Sequence, residues 1–517
     1  MVSMPSCYFF VLPGRCMTGG ATVLDNIERH SLERLRESLM NPLEMVTLWA
    51  ILPIGLLLPV QASAEVSRPN ILFIMVDDLG PEWISCYGGL ELKTPHIDAL
   101  ARGGMRFTNA YSMPQCTPTR VTLLTGQYPF RHGWCNHWDV PRWGAGCHFD
   151  PGQNVTFARL LRGGGYATAI AGKWQINDFR VQPGVLKEHG FDEWCMWTGY
   201  EGQNPPSGRR YWDPYVFSSG ERSRTHKERF GPDVYTDFLV DFMRRHRRQP
   251  MLLYFPMVLT HGPQVHTPAD PQARTRLEKH KAMVRYTDRI VGRLVTTLDQ
   301  LDIRRRTIVI FTTDNGTSKR FRARMQVASG VRVVRGGKAL LTENGPWQPF
   351  IVNCPGTVPA GAVNHTLIDF TDMLPTFAEL AGVDLPEDLV VDGQSIAPVL
   401  LGKKKEGPRS WILSMGRGAA VLDEKGVRPT QVYTDRVLRD KRFKVLVEAG
   451  RVTRLVDLAN DPEEATNLVG SREPEHVAAI RKFARVIAGF PKRDPRPRYS
   501  PTAPQPWDRK PTTRSRR

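Results

Sequence analysis

Apolar runs that end in polar residues recur along this chain and predict a set of buried strands. The runs are NILFIMVDDLG, YATAIAGKW, MLLYFPMVLTHG, RTIVIFTTDNG and PFIVNCPG. Continuous rather than alternating hydrophobicity is typical of strands buried on both faces, as in a parallel sheet. Between them lie segments with helical periodicity, among them TPHIDALARGG, TRVTLLTG, FARLLRGG and MVRYTDRIVGRLVTTLDQL. The alternation predicts an α/β fold, with a large mixed, mostly parallel sheet sandwiched by helices.

The pattern changes after residue 402, where the loop-like stretch GKKKEG is followed by short strand-like segments and one helical segment, PEHVAAIRKFARVIAGF. These segments predict a small C-terminal antiparallel sheet with one helix. We therefore divide the chain into four parts. They are a leader region at 1–64, a large α/β domain at 65–402, a small C-terminal α+β subdomain at 403–490 and a tail at 491–517.

The longest apolar run, residues 45–60, has the length of a secretory h-region and is followed by Ala62, Ser63 and Ala64, a small-residue cleavage pattern. A membrane anchor is the alternative, but the run is short for a span and contains Pro53 and Pro59. We expect an exported protein, periplasmic or extracellular, without a stable membrane span. Residues 1–44 precede this run, although a signal peptide normally begins near the start of a chain. Translation from Met40 or Met45 stays open as the alternative.

The formal net charge of +18 is partly local, because the tail at 491–517 carries nine Lys and Arg against two Asp. The tail is also rich in proline, which predicts a disordered basic segment. The remaining excess is either a solvated basic surface or an attraction to a polyanion. Export and the lack of a nucleic-acid-binding motif favour an acidic polysaccharide over nucleic acid.

Eight cysteines without a CxxC pair do not form a full disulfide framework, although one bridge, such as Cys135 to Cys147, is compatible with the sequence. Cys116 precedes Thr117 and Pro118, which predict an N-cap and a first helical position. A thiol just before a helix N-terminus has a lowered pKa and is nucleophilic. The alternative is a free buried thiol.

Carboxylates follow two of the predicted strands, as Asp77 and Asp78 after the first and Asp314 with Asn315 after a later one. Ligands bind at the carboxyl edge of such sheets, so these oxygens are expected to meet there. Carboxylate and amide oxygens favour Ca²⁺ or Mg²⁺ over zinc. A solvated loop or a helix cap is the alternative for either pair alone.

Basic side chains also follow the strands: Lys173 ends one, His261 follows another, and Lys338 lies in the loop RGGKALLTENG. Each one alone is typical of a surface. Together with a cation and a helix N-terminus they predict a pocket for an anionic group such as sulfate or phosphate.

These motifs together resemble the sulfatase family in its type I, formylglycine-dependent form. CTPTRVTLLTG matches the signature C-x-P-x-R followed by TG, and the motifs PNILFIMVDDLG, TPHIDALARGGMRFTNAY, AGKW, TIVIFTTDNG and GGKALLTENG follow the family in order and spacing. With LVDLANDPEEATNL included, the resemblance covers residues 69–470.

The resemblance implies that a formylglycine-generating enzyme oxidises Cys116 to formylglycine, whose hydrate attacks the sulfur of a sulfate ester. The alcohol then leaves, and sulfate is expelled as the aldehyde re-forms. By similarity the metal ligands, for Ca²⁺ rather than Mg²⁺, are Asp77, Asp78, Asp314, Asn315 and the modified Cys116. Lys173 and Lys338 match the sulfate-binding lysines, and His261 matches the histidine that protonates the leaving alcohol. Arg120, one turn from Cys116, is expected to hold the hydrate or the carboxylates.

The sequence departs from the family in two places. Gln175 stands where the family has a histidine that takes a proton from the hydrate, and glutamine is no base near neutral pH. In the loop after GGK, PWQP stands in place of the family's usual arginine after E-x-G, with Trp347 near that position at the expected pocket mouth.

The expected function is hydrolysis of sulfate esters, on a sulfated small molecule or polysaccharide. The alternatives are a phosphodiesterase or phosphonate hydrolase of the alkaline phosphatase-like superfamily, and a degenerate anion-binding protein. Specificity is expected in the loops DFRVQPGVLKEHGFDEW and GYEGQNPPSGRRYWDPY.

Overall fold

The computed structural model describes residues 68–143, 147–202 and 204–510, so the predicted leader at 1–64 lies outside the described residues. Within these ranges, no helix is long and apolar enough to cross a membrane.

The strands of the described chain run from short two-residue pairs to eight-residue elements. They are β1 (Asn70–Val76), β2 (Met105–Tyr111), β3 (His148–Phe149), β4 (Ala167–Lys173), β5 (Glu193–Trp197), β6 (Tyr215–Ser218), β7 (Arg224–Thr225), β8 (Met251–Pro256), β9 (Thr307–Thr313), β10 (Arg322–Val327), β11 (Gly330–Arg335), β12 (Trp347–Asn353), β13 (Ala362–Asp369), β14 (Ile412–Met415), β15 (Val421–Asp423), β16 (Gly426–Arg428), β17 (Arg436–Arg439), β18 (Phe443–Glu448), β19 (Arg451–Asp457) and β20 (Tyr499–Ser500).

The α-helices connect these strands or cover them. They are α1 (Pro95–Arg102), α2 (Cys116–Thr125), α3 (Pro129–His132), α4 (Phe157–Gly163), α5 (Val185–Glu188), α6 (Gly231–His246), α7 (Arg276–Gln300), α8 (Met373–Ala381), α9 (Ala397–Leu400) and α10 (Pro474–Ala488).

The main sheet has ten strands in the order β13-β2-β12-β9-β1-β8-β4-β5-β6-β7. Its centre, from β9 through β1, β8 and β4 to β5, is parallel, whereas β12, β6 and β7 run antiparallel to their neighbours. The predicted α/β class with a large mixed, mostly parallel sheet is confirmed.

Strand β1 shows how the sheet is buried on both faces. Phe73 points into one core cluster with Val121 of α2 and Phe377 of α8. Its neighbour Leu72 points into a second cluster that is shared with α1, α6 and α7. Because side chains alternate along a strand, one continuous apolar run supplies both layers.

The C-terminal part contains the predicted small antiparallel sheet, in the order β14-β17-β18-β19. Helix α10 covers it, burying Ala479, Phe483 and Ile487 against apolar side chains of the sheet such as Leu438 and Val445. The prediction of an antiparallel sheet with one helix is confirmed.

The tail differs from the predicted disordered segment as far as Lys510. Asp494 forms a buried ion pair with Arg436 at 2.9 Å, and β20 pairs with β3 of the large domain. Trp507 donates from its indole N–H to Asp178, at 3.1 Å. Disorder was predicted because the segment is basic and rich in proline, but its charged and backbone groups have partners on distant parts of the chain.

The six described cysteines are all free, so the bridge from Cys135 to Cys147 is not formed. The reason is their placement. Cys135 packs in the core of the C-terminal sheet, whereas Cys147 packs in a core cluster of the main sheet.

Candidate active site

The carboxyl end of β1 brings two adjacent carboxylates to one place. Asp77 continues the strand through its backbone N–H, which donates to Leu259 O at 2.7 Å. Asp78 has a positive φ of 62°, which breaks the alternation of the strand. Both side chains are buried, and their oxygens lie near the Cys116 Sγ and a His261 nitrogen, all within 4.8 Å of one another.

The next strand, β9, adds the second predicted pair. The backbone N–H of Asp78 donates to Asp314 Oδ1 at 3.1 Å, and Asn315 Nδ2 donates to Asp78 Oδ1 at 2.8 Å. Asn315 Oδ1 is buried and has no hydrogen-bond partner in the described chain. Burial, and then the charge of Asp77, raise the pKa of Asp314 to about 7. Such crowding of buried oxygens is typical of a cation site.

Cys116 lies in the first turn of α2, and its Sγ is 3.5 Å from Asp77 Oδ1. The predicted cap is wrong, because the helix begins at Cys116 and Gln115 is the N-cap residue. The Thr117 hydroxyl instead donates to Trp138 O at 2.9 Å. The predicted lowering of the thiol pKa is also wrong, since burial raises the pKa of Cys116. The unmodified thiol is therefore protonated near neutral pH and is a poor nucleophile.

Arg120 follows Cys116 by one helical turn and holds the carboxylate of Asp314 in place. Its guanidinium pairs with Asp314 Oδ2 at 2.9 Å and donates to the backbone carbonyl of Lys173 at 2.8 Å. It thereby joins α2 to the ends of β9 and β4.

Two lysines face the carboxylates of β1. Lys173 Nζ lies 2.8 Å from Asp77 Oδ2, and Lys338 Nζ lies 2.6 Å from Asp78 Oδ1 and 3.5 Å from Cys116 Sγ. Burial by itself raises the pKa of Asp77, but Lys173 and the other nearby cations hold it well below its usual range.

His261 lies in the turn after β8, with Nε2 3.8 Å from Asp78 Oδ2. Its Nδ1 lies 2.7 Å from Gly262 O, and because a carbonyl only accepts, Nδ1 carries the proton. Burial, and then Lys338, lower the pKa of His261 to about 3, so the ring is neutral near pH 7.

Gln175 is buried two residues beyond the end of β4, with a positive φ of 80°. Its amide Nε2 donates to the carboxylate of Asp139, and its Oε1 has no partner among the described residues. Asp139 also pairs with His137 Nε2 at 3.2 Å. Sequence reasoning missed Asp139 and His137, because neither follows a strand or belongs to a recognisable motif.

Trp347, predicted near the pocket mouth, begins β12 and is half-buried. Its indole N–H donates to Thr108 O at 2.8 Å, and its ring packs against a small apolar cluster that contains Tyr111. These contacts anchor it to the sheet.

Comparison with known proteins gives the family of this chain. Residues 69–383 match the sulfatase family model. The chain belongs to the sulfatase family. Residues 337–485 of this sulfatase also match the model described as N-sulphoglucosamine sulphohydrolase, C-terminal.

Named relatives of this sulfatase include N-acetylgalactosamine-6-sulfatase of Canis lupus familiaris, 31% identical over 389 residues, or 70% of this chain and 72% of the relative. Arylsulfatase A of Homo sapiens is 30% identical over 468 residues, or 83% of this chain and 90% of the relative. Among solved structures, Ps i-CgsB in complex with k-i-k-neocarrahexaose superposes with a TM-score of 0.67 at 24% identity, covering 82% of this chain and 94% of that one.

Proposed function

We propose that this sulfatase hydrolyses a sulfate ester on a sulfated carbohydrate, using formylglycine made from Cys116 and a divalent cation. The observation that carries the proposal is the convergence on Cys116 of Asp77, Asp78, Lys338 and, through Asp77, Lys173. Negative groups that hold a cation and positive groups that hold an anion thus meet around one side chain.

The residues present fit a hard cation, Ca²⁺ in preference to Mg²⁺. Asp77, Asp78 and Asp314 supply buried carboxylates, and Asn315 supplies an amide oxygen that has no other partner in the described chain. The modified Cys116 completes the set. When bound, the cation lowers the pKa of a hydroxyl beside it and neutralises sulfate oxygens.

Formylglycine supplies a hydrated aldehyde whose hydroxyl is a better nucleophile than a buried, protonated thiol. In this proposal Lys173 and Lys338, which pair with Asp77 and Asp78, bind the sulfate oxygens, and Arg120 keeps Asp314 in position. The negative charge of a bound sulfate favours the protonated imidazole of His261. Its Nε2 then faces the site and can donate to the departing alcohol oxygen.

A carbohydrate substrate is supported by the named relatives, several of which are N-acetylgalactosamine-6-sulfatases. Two structures of the same fold were solved with saccharides, a neocarrahexaose and D-glucosamine-2-N,6-O-disulfate. The net charge of +18 suits an acidic polysaccharide. The small-residue pattern at Ala62–Ala64 supports export, and the C-x-P-x-R signature supports recognition by a formylglycine-generating enzyme.

The test combines peptide mass spectrometry across Cys116 with sulfate release from a panel of sulfated sugars. We expect conversion of the thiol to the aldehyde, and loss of activity by at least about 1,000-fold in Cys116→Ala. Cys354→Ala is the matched control, since Cys354 is equally buried and its thiol donates to Arg305 O rather than to a carboxylate. Chelation should abolish sulfate release, and added Ca²⁺ should restore it.

Two outcomes would contradict the proposal. Faster cleavage of a matched phosphodiester than of the sulfate ester would indicate a phosphodiesterase. Complete formylglycine formation without sulfate release from any sugar would indicate an anion-binding protein that has lost turnover.

A further inference from the structure

Arg210 is a buried guanidinium beside the proposed active site that has no carboxylate partner among the described residues. It lies in the segment GYEGQNPPSGRRYWDPY and is 3% exposed. Three other buried arginines each have a carboxylate partner: Arg120 has Asp314, Arg409 has Asp372 and Arg436 has Asp494. Arg304 is buried without one, but its guanidinium donates to Asn353 Oδ1 and Thr307 O. A buried charge with neither a counterion nor well-satisfied donors is costly, which makes Arg210 a candidate for ligand binding.

The polar contacts of Arg210 are too few for its five donors. Its Nη1 lies 3.3 Å from His261 Nδ1, but that nitrogen donates its own proton to Gly262 O and cannot also accept. Nη2 reaches only the Tyr200 hydroxyl, at 3.5 Å, and Nε is buried without a partner. The guanidinium stacks 3.7 Å above the Trp197 ring, which fixes its plane.

We infer that Arg210 binds a second anionic group, sulfate or carboxylate, on the sugar that carries the cleaved ester. The inference rests on the proposed function. A guanidinium held flat against an aromatic ring, with free donors on one edge, is suited to bidentate recognition of either anion.

The position of Arg210 separates it from the cleaved sulfate. His261 turns Nε2 toward Asp78 and Nδ1 toward Arg210, so the imidazole ring lies between Arg210 and the carboxylates around Cys116. Lys173 and Lys338 are on the Cys116 side of that ring. The second anionic group of the substrate would then lie beyond His261, away from the cleaved ester. The segment of Arg210 is also one of the two in which specificity was expected.

The experiment compares Arg210→Met with Arg209→Gln, a control in the same segment whose exposed side chain pairs with Asp213 at 3.6 Å. One probe pair is glucosamine-6-O-sulfate and glucosamine-2-N,6-O-disulfate. The other is a sulfated disaccharide containing a uronic acid and its carboxyl-reduced form. Affinities are measured on a Cys116→Ala background, and kcat/KM on the active protein.

We expect the parent protein to prefer the probe with the additional anion by about 10- to 100-fold, and Arg210→Met to abolish that preference. A preference within the glucosamine pair identifies the anion as sulfate, and a preference within the disaccharide pair identifies it as carboxylate. Arg209→Gln should keep the preference.

A preference that survives in Arg210→Met would overturn the inference, as would a parent protein without any preference in either arm. A fall in the unfolding temperature of Arg210→Met, with the preference intact, would indicate a purely structural arginine. If the proposed function itself is wrong, no sulfate is released from any sugar. The affinities measured on the Cys116→Ala background still test the role of Arg210 in that case.

Discussion

Gln175 is held in place by a carboxylate and leaves an unpartnered oxygen inside the protein. Asp139 accepts from its Nε2 and also contacts His137, while Gln175 Oε1 is buried. A glutamine here can orient a hydroxyl group by accepting its hydrogen bond, but it cannot remove the proton. We therefore propose that Gln175 positions the hydroxyl group, and we expect the step that needs a base to be slow.

Replacing Gln175 by histidine tests this explanation. Asp139 would hold one ring nitrogen of the new histidine and leave the other free as a base. We expect kcat in Gln175→His to rise by about tenfold or more, with KM nearly unchanged, because general-base catalysis contributes about 100-fold or more. Steady-state kinetics checks this. In Gln175→His combined with Asp139→Asn the gain should be lost, and an unchanged kcat in Gln175→His would show that proton removal does not limit turnover.

At the scale of elements, a buried histidine joins α5 to β3. His189 follows α5, is fully buried, and its ring stacks on Phe149 of β3 with centroids 4.6 Å apart. Nε2–H donates to Phe149 O at 3.2 Å, and Nδ1 has no partner in the described chain. Burial lowers the pKa of His189 to about 3 from its usual 6.5.

This lowered pKa predicts loss of stability in acid. Below pH 6.5 the unfolded chain binds a proton at His189 and the folded chain does not. The contribution of the buried, neutral His189 to stability is therefore complete above pH 6.5 and is lost as the pH falls toward 3. In this range the free energy of unfolding falls by about 1.4 kcal/mol for each pH unit. Urea unfolding between pH 7 and pH 4 measures this dependence. The free energy of unfolding of His189→Gln should fall less steeply with pH than that of the parent protein, by about that amount per pH unit. The exposed His96→Gln is the control, and equal slopes for parent and His189→Gln would contradict the prediction.

At the scale of the whole molecule, the C-terminal segment joins parts of the chain that are far apart in sequence. Arg496 pairs with Asp423 at 2.9 Å, and β20 adds to β3 beside the main domain. The backbone of Arg496 passes close to Gly133. A Cβ atom added to Gly133 would lie 2.1 Å from the carbonyl oxygen of Arg496. Gly133 also has a positive φ of 82°, so glycine is required twice over.

Removal of this segment should destabilise the fold. A chain that ends at residue 495 keeps the Arg436–Asp494 pair but loses β20 and the ion pair of Arg496. We expect it to be about 1–3 kcal/mol less stable than a chain that ends at residue 510. Thermal unfolding and limited proteolysis compare the two. Identical unfolding temperatures, with no new cleavage between residues 131 and 154, would show that the segment does not support the fold.

By itself, the sequence determined the buried strands, the α/β class and the residues that gather around Cys116. These features are local, because an apolar run and the polar residues that end it are adjacent in the chain. Only the tertiary structure decided which charges compensate one another, as Lys173 does for Asp77, and that buried Arg210 has no carboxylate partner in the described chain. It also reversed the expected pKa shift of Cys116 and placed the C-terminal segment. The physical reason is that burial and Coulomb interactions depend on distances between residues far apart in sequence, which no local pattern contains.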